Sequence, residues 1–449
     1  MTSPTTSLPP PGVQRPSAMS GIGTSAGRYR WTVCALLFFA TTINYIDRQI
    51  LALLKPMLDV QIGWTNEQFG LVNSAFQGAY GIGLLVFGWF IDRYGTKIGY
   101  AVSIAAWSVA AIGHSLVGSV VGFTYARIAL GLGEGGNFPS AIKAVALWFP
   151  KRERALATSI FNSGTNVGAI VAPALVPLIA YTWGWQATFI MAGAAGFLWL
   201  FLWIPFYNVP EKIEHLSAGE RAHINSDLDE QSAGTSKIPW SSLLRYRQTW
   251  AFIVAKFLTD PIWWFFLIWL PDFFNQTRGL DIKKSWVHLV TIYAIVTLLS
   301  IFGGWITGYL AKKGWTVTRA RKTGMFIFSL CVIPILAVTS AGDWTAVLLI
   351  GLAGAAHQAW SANLFTTVSD MFPKRAIASV TGIGGLAGAI GGMLFPFVTG
   401  RLLDAFKATG DVTGGYAILF GVCASAYLIS FGLNHLLAPR FEPIAMKEP

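Results

Sequence analysis

Charged residues are scarce in this chain of 449 residues: Asp, Glu, Lys and Arg make up 12% of it, against about a quarter in a soluble domain. With 54% hydrophobic residues and a mean hydropathy of +0.54, so few charges cannot cover a water-facing surface, and most of the exterior must face lipid. Cysteine is nearly missing. Cys34, Cys331 and Cys423 each lie inside an apolar run, too widely separated for a zinc site or a disulfide framework, and read as small packing residues. There is no HExxH, no nucleophile–base pair and no metal-ligand cluster, which argues against an intramembrane enzyme. Neither the tails nor the middle loop is long enough for a signalling domain, which argues against a nutrient sensor. The net charge of +11 is not gathered into one patch, so it does not point to nucleic acid. Residues 1–27 are rich in Pro, Ser, Thr and Gly and read as a disordered tail. They lack the basic region and apolar stretch of a cleavable signal. The first apolar run, near Trp31, is therefore expected to remain as the first membrane helix.

What the chain does have is long apolar runs. A spanning helix needs about 20 largely apolar residues, and such runs fall near 31–54, 68–91, 98–117, 119–145, 155–181, 186–207, 248–271, 286–311, 323–341, 344–370, 376–402 and 414–437. If the N-terminus is cytoplasmic, 22 basic residues fall in cytoplasmic segments against 6 outside, a bias that places both termini in the cytoplasm. The segment 148–173 (WFPKRERALATSIFNSGTNVGAIVAP) aligns without a gap to 371–396 (MFPKRAIASVTGIGGLAGAIGGMLFP), with nine of 26 positions identical. Because the shared FPKR is polar loop sequence, this reads as a true repeat and implies two halves of the same topology about an axis normal to the membrane. The expected protein is an all-α membrane protein of twelve transmembrane helices in two pseudo-symmetric six-helix bundles. Its parts are a tail (1–27), a first bundle (28–207), a cytoplasmic linker (208–247), a second bundle (248–438) and a C-terminal tail (439–449). Repeated halves with buried charges suit alternating access better than a fixed pore.

The loop after the second run, Gly88-Trp-Phe-Ile-Asp92-Arg93-Tyr-Gly95-Thr-Lys97, resembles the signature loop of the major facilitator superfamily. Gly88 permits close helix contact, and Asp92 can meet a helix N-terminus or a nearby Arg, so that Gly88, Asp92, Arg93, Gly95 and Lys97 latch one conformation. The second half keeps only a degraded copy around Gly308 to Lys313. Asn44-Tyr45-Ile46-Asp47-Arg48 and Arg127…Gly131-Leu-Gly-Glu134-Gly-Gly-Asn137-Phe138-Pro139 are similar to the anion:cation symporter family over about residues 30–438. Lys256-Phe-Leu-Thr-Asp260-Pro-Ile-Trp-Trp and His357-Gln-Ala-Trp-Ser-Ala-Asn363-Leu-Phe look most like hexuronate transporters. The resemblance implies proton-coupled import of glucuronate or galacturonate across a bacterial inner membrane. The rival substrates are an aldonate, glucarate, tartrate or an aromatic acid.

Ionisable groups inside membrane helices are expensive and usually functional or paired. Asp47 and Arg48 are adjacent and point to different sides. Arg127 and Glu134 are seven apart, close to two turns, and share one face. The related galactonate symporters imply a division of labour at these positions. Arg48 binds the substrate carboxylate through its planar donor fork, Asp47 pairs with Arg127 in one state, and Glu134 takes up the coupling proton. Lys256 stands where those relatives carry a sugar-contacting amide. It either meets the substrate or pairs with Asp260 four residues on. Tyr45, Tyr80, Asn162, Thr165, Asn166 and Asn363 are candidates for hydrogen bonds to a polyol, with Asn162 and Asn166 on one helix face. Gly385 replaces an asparagine of the galactonate relatives, which argues against a simple transfer of galactonate specificity. Of the histidines, His357 is kept as a site candidate, while His114 and His288 read as structural. Trp263, Trp264 and the other tryptophans read as interface anchors or packing residues. No metal and no cofactor beyond the proton are expected. The expected partners are a sugar acid and the lipid bilayer, with no nucleic acid, and the protein is expected to be a monomer.

Overall fold

The computed structural model describes residues 27–226 and 240–444. Nearly all of the expected N-terminal tail, the middle of the linker and residues 445–449 lie outside the described residues. The first half folds as α1 (Tyr29–Ile62), α2 (Asn66–Tyr94), α3 (Thr96–Gly113), α4 (Val120–Glu134), α5 (Asn137–Trp148), α6 (Lys151–Trp183) and α7 (Trp185–Phe206). Two short helices of the linker follow, α8 (Ala218–Ile224) and α9 (Trp240–Leu243). The second half contains α10 (Arg247–Arg278), α11 (Ile282–Lys312), α12 (Val317–Val332), α13 (Asp343–Met371), α14 (Lys374–Ala408) and α15 (Val412–Leu437). Nine of the described helices, some counted with an adjoining turn, are long and apolar enough to cross a membrane. The other three crossings are α1, which carries Asp47 and Arg48, the interrupted pair α4–α5, and α13, which carries His357 and Asn363. Together they make twelve spanning helices in two six-helix bundles.

Local chemistry sets the boundaries. Thr65 and Gln68 form a capping box at the start of α2. At Gly95 (φ 86°) the chain turns from α2 straight into α3, a conformation that a side chain resists. Prolines 173, 177, 261, 271 and 396 sit inside α6, α10 and α14, tolerated because neighbouring helices re-satisfy the freed backbone groups.

The repeat in sequence is a repeat in space. Pro150 and Pro373 cap α6 and α14 with nearly the same backbone angles (φ −62°, ψ 154° and φ −63°, ψ 152°). Gly168 presses onto α1, where an added Cβ would lie 2.7 Å from the Thr42 carbonyl oxygen. Its counterpart Gly391 presses onto α10, with an added Cβ 2.6 Å from the Phe257 carbonyl oxygen. In each bundle the fifth crossing thus packs on the first through an equivalent glycine.

The ends of the molecule differ. We call the end carrying α8 and α9 the linker end and the opposite one the far end. At the far end the bundles are fastened together. Lys55 of α1 donates to Asp272 of α10 (2.8 Å) and to Asp59 (2.7 Å), and the Tyr416 hydroxyl donates to the other oxygen of Asp272 (2.6 Å). Asp404 of α14 accepts from the Asn66 and Glu67 amides (3.0 and 2.7 Å), capping α2 from the opposite bundle. At the linker end, Ile213, Leu216 and Ile224 pack into the first bundle's core. Glu220 accepts from the Tyr29 and Arg30 amides (3.2 and 3.0 Å) and so caps α1. Burial by itself would push the Glu153 carboxyl up, but hydrogen bonds from Arg30 and His223 hold it below its usual range.

Candidate functional site

Between the two bundles, on the linker-end side of the far-end contacts, lies a cavity of about 540 Å³, a size that suits a small organic solute. The first bundle contributes Tyr45, Tyr80, Asn162 and Thr165. The second contributes Lys256, Asp260, Trp263, Trp264, His357, Gln358, Ser361 and Phe365. Tyr80, Asp260, Trp264 and Gly385 also line an adjoining space of about 450 Å³ between α2 and α14.

Arg48 lies behind the Tyr45–Tyr80 wall rather than on it. Its Nε donates to Glu134 Oε2 at 2.6 Å, with both side chains buried. Its guanidinium carbon sits 4.3 Å from the Tyr80 ring centroid, 5.1 Å from Tyr45, 5.4 Å from Trp264 and 5.5 Å from Phe76. The aromatic faces hold a planar cation in a fixed plane. Its Nη2 has no hydrogen-bond partner among the described residues. Glu134 occupies its place because α4 ends there, and the glycines around it let α4 approach its neighbours. A Cβ on Gly131 would sit 2.5 Å from the Phe76 carbonyl oxygen, and one on Gly133 2.7 Å from the Trp107 amide nitrogen.

The expected Asp47–Arg127 hydrogen bond is not made in this conformation. Arg127 donates instead to the Arg48 carbonyl (3.3 Å), and neither oxygen of the buried Asp47 accepts a hydrogen bond from a described residue. Both groups are held close to the Arg48–Glu134 pair by the α1 and α4 backbones.

Lys256 and Asp260 are paired at 2.6 Å, and both also reach the cavity. The Lys256 ammonium lies 4.5 Å from the Phe365 ring centroid. His357 is buried, hydrogen-bonded through Nδ1 to the Tyr427 hydroxyl (2.7 Å) and stacked on Trp263 (5.5 Å). It borders the cavity as a fixed wall. His114 hydrogen-bonds the Ala110 carbonyl and stacks on Phe189, a packing role.

Two of the expected polyol contacts lie off the cavity wall. Asn363 donates to the Ala359 carbonyl of its own helix and accepts from Arg321 (3.2 Å), which also pairs with Asp370. These partners turn its amide toward α12. Asn166 is partly buried and absent from the lining that Asn162 and Thr165 provide, because four residues along a helix is 400° of rotation and one turn of depth. In the signature loop, Gly88 has open space where a Cβ would go, so among the described residues it makes no close helix contact in this conformation. Asp92 meets Lys143 of α5 (2.7 Å), and Lys143 also donates to the Ile91 carbonyl. Arg93 is exposed in the last turn of α2, and the Lys97 carbonyl accepts from the Trp203 indole.

Trp263 and Trp264, which read from sequence as interface anchors or packing residues, both line the cavity. The signal was available: Lys256, Asp260 and Trp264 follow one another at intervals of four along α10, one continuous face. On α13 the same spacing of His357, Ser361 and Phe365 marks a second wall.

The sequence model of the Major Facilitator Superfamily matches residues 37–396, and the chain belongs to that superfamily: it is a polytopic membrane transporter, not an enzyme. A hexuronate transporter of Escherichia coli (strain K12) is 31% identical to it over 399 residues, covering 88% of this chain and 90% of the relative. A galacturonate transporter of Dickeya chrysanthemi is 32% identical over 280 residues, covering 62% and 81% respectively. Among solved structures, a D-xylose–proton symporter superposes with a TM-score of 0.72 at 14% identity, over 92% of this chain and 99% of that one. A bacterial homolog of the human lysosomal transporter Spinster gives 0.73 at 15%, over 92% and 97%. At such identities the likeness is one of fold.

Proposed function

We propose that this protein is a proton-coupled symporter that imports a hexuronate, glucuronate or galacturonate, across a bacterial inner membrane by alternating access. The observation that carries this reading is the sealed Arg48–Glu134 pair behind the cavity wall. A guanidinium held there by a protonatable carboxylate is a ready exchange site. When Glu134 takes a proton its claim on Arg48 weakens, and the solute's carboxylate takes its place. Arg48 Nη2, without a partner among the described residues, supplies the second tine of a bidentate contact. Asp47 and Arg127 stand beside the pair to share charge as it rearranges. The tyrosine, asparagine and threonine groups of the first bundle and the indoles of the second offer the hydroxyl partners and flat faces that a sugar ring needs. The names carried by the similar hexuronate and galacturonate transporters support the solute class. The loop charges support cytoplasmic termini; in that orientation the linker end is the inside, and the cavity lies on the cytoplasmic side of the far-end fastening.

The test is uptake of labelled glucuronate and galacturonate into proteoliposomes with and without an imposed pH gradient. The wild type accumulates one or both uphill when the outside is acidic. Glu134→Gln loses gradient-driven accumulation but keeps solute counterflow. Intact uphill uptake in Glu134→Gln removes Glu134 as the coupling site. A wild type that accumulates neither acid under any driving force ends the reading.

A further inference from the structure

We propose that the Lys256–Asp260 pair decides between sugar acids with one carboxylate and sugar acids with two, with Asp260 as the group that excludes the second carboxylate. This rests on the sugar-acid reading above and deepens it. The cavity is approached by two cations from opposite bundles, Arg48 of α1 and Lys256 of α10, and each is held at 2.6 Å by an acid of its own bundle. Trp264, whose ring lies against Arg48, is eight residues from Lys256 on the same face of α10, roughly 12 Å along the helix. Trp264 beside Arg48 and the Lys256–Asp260 pair thus border the cavity along one helix face, so a solute held at Arg48 extends along α10 toward that pair.

The two pairs differ in how they face the solute. Arg48 and Glu134 lie behind the aromatic wall, whereas Lys256 and Asp260 are part of the wall itself. Asp260 is also the more exposed partner, with 19% of its side chain accessible against 8% for Lys256. Its carboxylate is pressed against Gly388 of α14, where a Cβ would collide with Oδ2. The neighbouring helix thus offers a bare backbone there in place of a donor, and Lys256 is the cation that answers Asp260. Lys256 is fixed from its other side by the Phe365 ring. An ammonium neutralised in this way presents donors, and its partner acceptors, to hydroxyl and ring oxygens, which suits the uncharged end of a uronate. A second carboxylate arriving at the same place meets the negative charge of Asp260 first. Removing that charge turns Lys256 into a free anion site.

The experiment compares kcat/KM for glucuronate and for glucarate, a six-carbon sugar acid with two carboxylates, in proteoliposomes at one fixed pH. The proteins are the wild type, Asp260→Asn, Asp260→Ser and Lys256→Gln. The wild type is expected to prefer glucuronate. Both Asp260 variants raise the glucarate-to-glucuronate ratio at least tenfold, and Lys256→Gln does not raise it. Two neutral side chains of different size keep the result readable if one of them impairs folding. A ratio that stays within threefold of wild type in both Asp260 variants overturns the proposal and leaves the hexuronate reading standing. So does a wild type that already takes glucarate as well as glucuronate. A wild type that transports neither acid overturns both.

Discussion

A guanidinium packed among Tyr45, Phe76, Tyr80 and Trp264 and hydrogen-bonded to a fully buried glutamate has little access to water. Such a pair adds little net stability, because desolvation offsets the attraction. Removing one partner leaves an uncompensated charge at a cost of about 3–5 kcal/mol. Arg48→Met should therefore lower the thermal stability of the detergent-solubilised protein sharply, and the double variant Arg48→Met/Glu134→Gln should recover most of the loss. Strictly additive effects in that cycle would mean the two side chains act independently. The members of this cluster were legible in the sequence because charges stand out in apolar helices. Their pairing was not. Asp47, Arg48, Arg127 and Glu134 offer more than one neutral arrangement, and helical phase alone does not choose between them. Asn363 reads as a polyol contact for a related reason. An amide in a membrane helix needs partners, but the sequence does not say that Arg321, 42 residues away, supplies one.

Hydropathy located every spanning element but shortened several. α1 was expected to end near 54 and runs to Ile62, α10 near 271 and runs to Arg278, α14 near 402 and runs to Ala408. In each case the last turns carry polar groups, Lys55, Asp272 and Asp404, which a scan for apolar residues reads as loop. They stay helical because they satisfy one another, or an opposing helix end, across the far end. The run expected at 119–145 is two helices, because Gly135 and Gly136 interrupt it directly after Glu134. The glycines of this region divide into those that must lack a side chain and those with room for one. The three nearest neighbours of a Cβ at Gly131 all belong to α2, at 2.5, 3.1 and 3.2 Å, and two of the three are backbone atoms. Gly131→Ala should therefore push α4 off α2 and destabilise by about 1–3 kcal/mol, more than the helix propensity gained. Gly88→Ala meets no described residue within 4 Å and should melt at or slightly above wild type, since alanine gains about 1 kcal/mol in a helix. Both are read by thermal unfolding in detergent. Equal melting temperatures for the two variants would mean that α4 can shift away from α2 at no cost. A Gly88→Ala protein that is stable but slow in transport would place the close contact of the signature loop in the other conformation.

For the whole molecule, alternating access requires the far end to open, and the contacts that resist opening join one bundle to the other. Lys55 and Asp272, each 1% exposed, tie α1 to α10, and the Lys55 ammonium also lies 5.3 Å from the Phe69 ring and 6.0 Å from the Trp269 ring. Asp404 holds the first two amides of α2 from across the interface. Hydrogen bonds to a charged group contribute about 1.5–3 kcal/mol each, and both made by Asp404 must break when the bundles part. They are absent from the far-end-open state, so they bias the equilibrium without touching solute. Asp404→Asn should shift that equilibrium toward far-end opening by at least tenfold, the equivalent of about 1.4 kcal/mol, and Asp272→Asn should act in the same direction. Spin labels at Val60 of α1 and Lys407 of α14, both exposed at the far end, report the change as a growing population of long distances in a background without the three native cysteines. The pair of residues also separates a gate from a brace. If Asp404→Asn loses thermal stability while the distance distribution stays that of the wild type, the carboxylate merely supports α2, and the barrier to opening lies in the packing of α2 against α14, where Gly70 meets the backbone of Pro396 and Phe397.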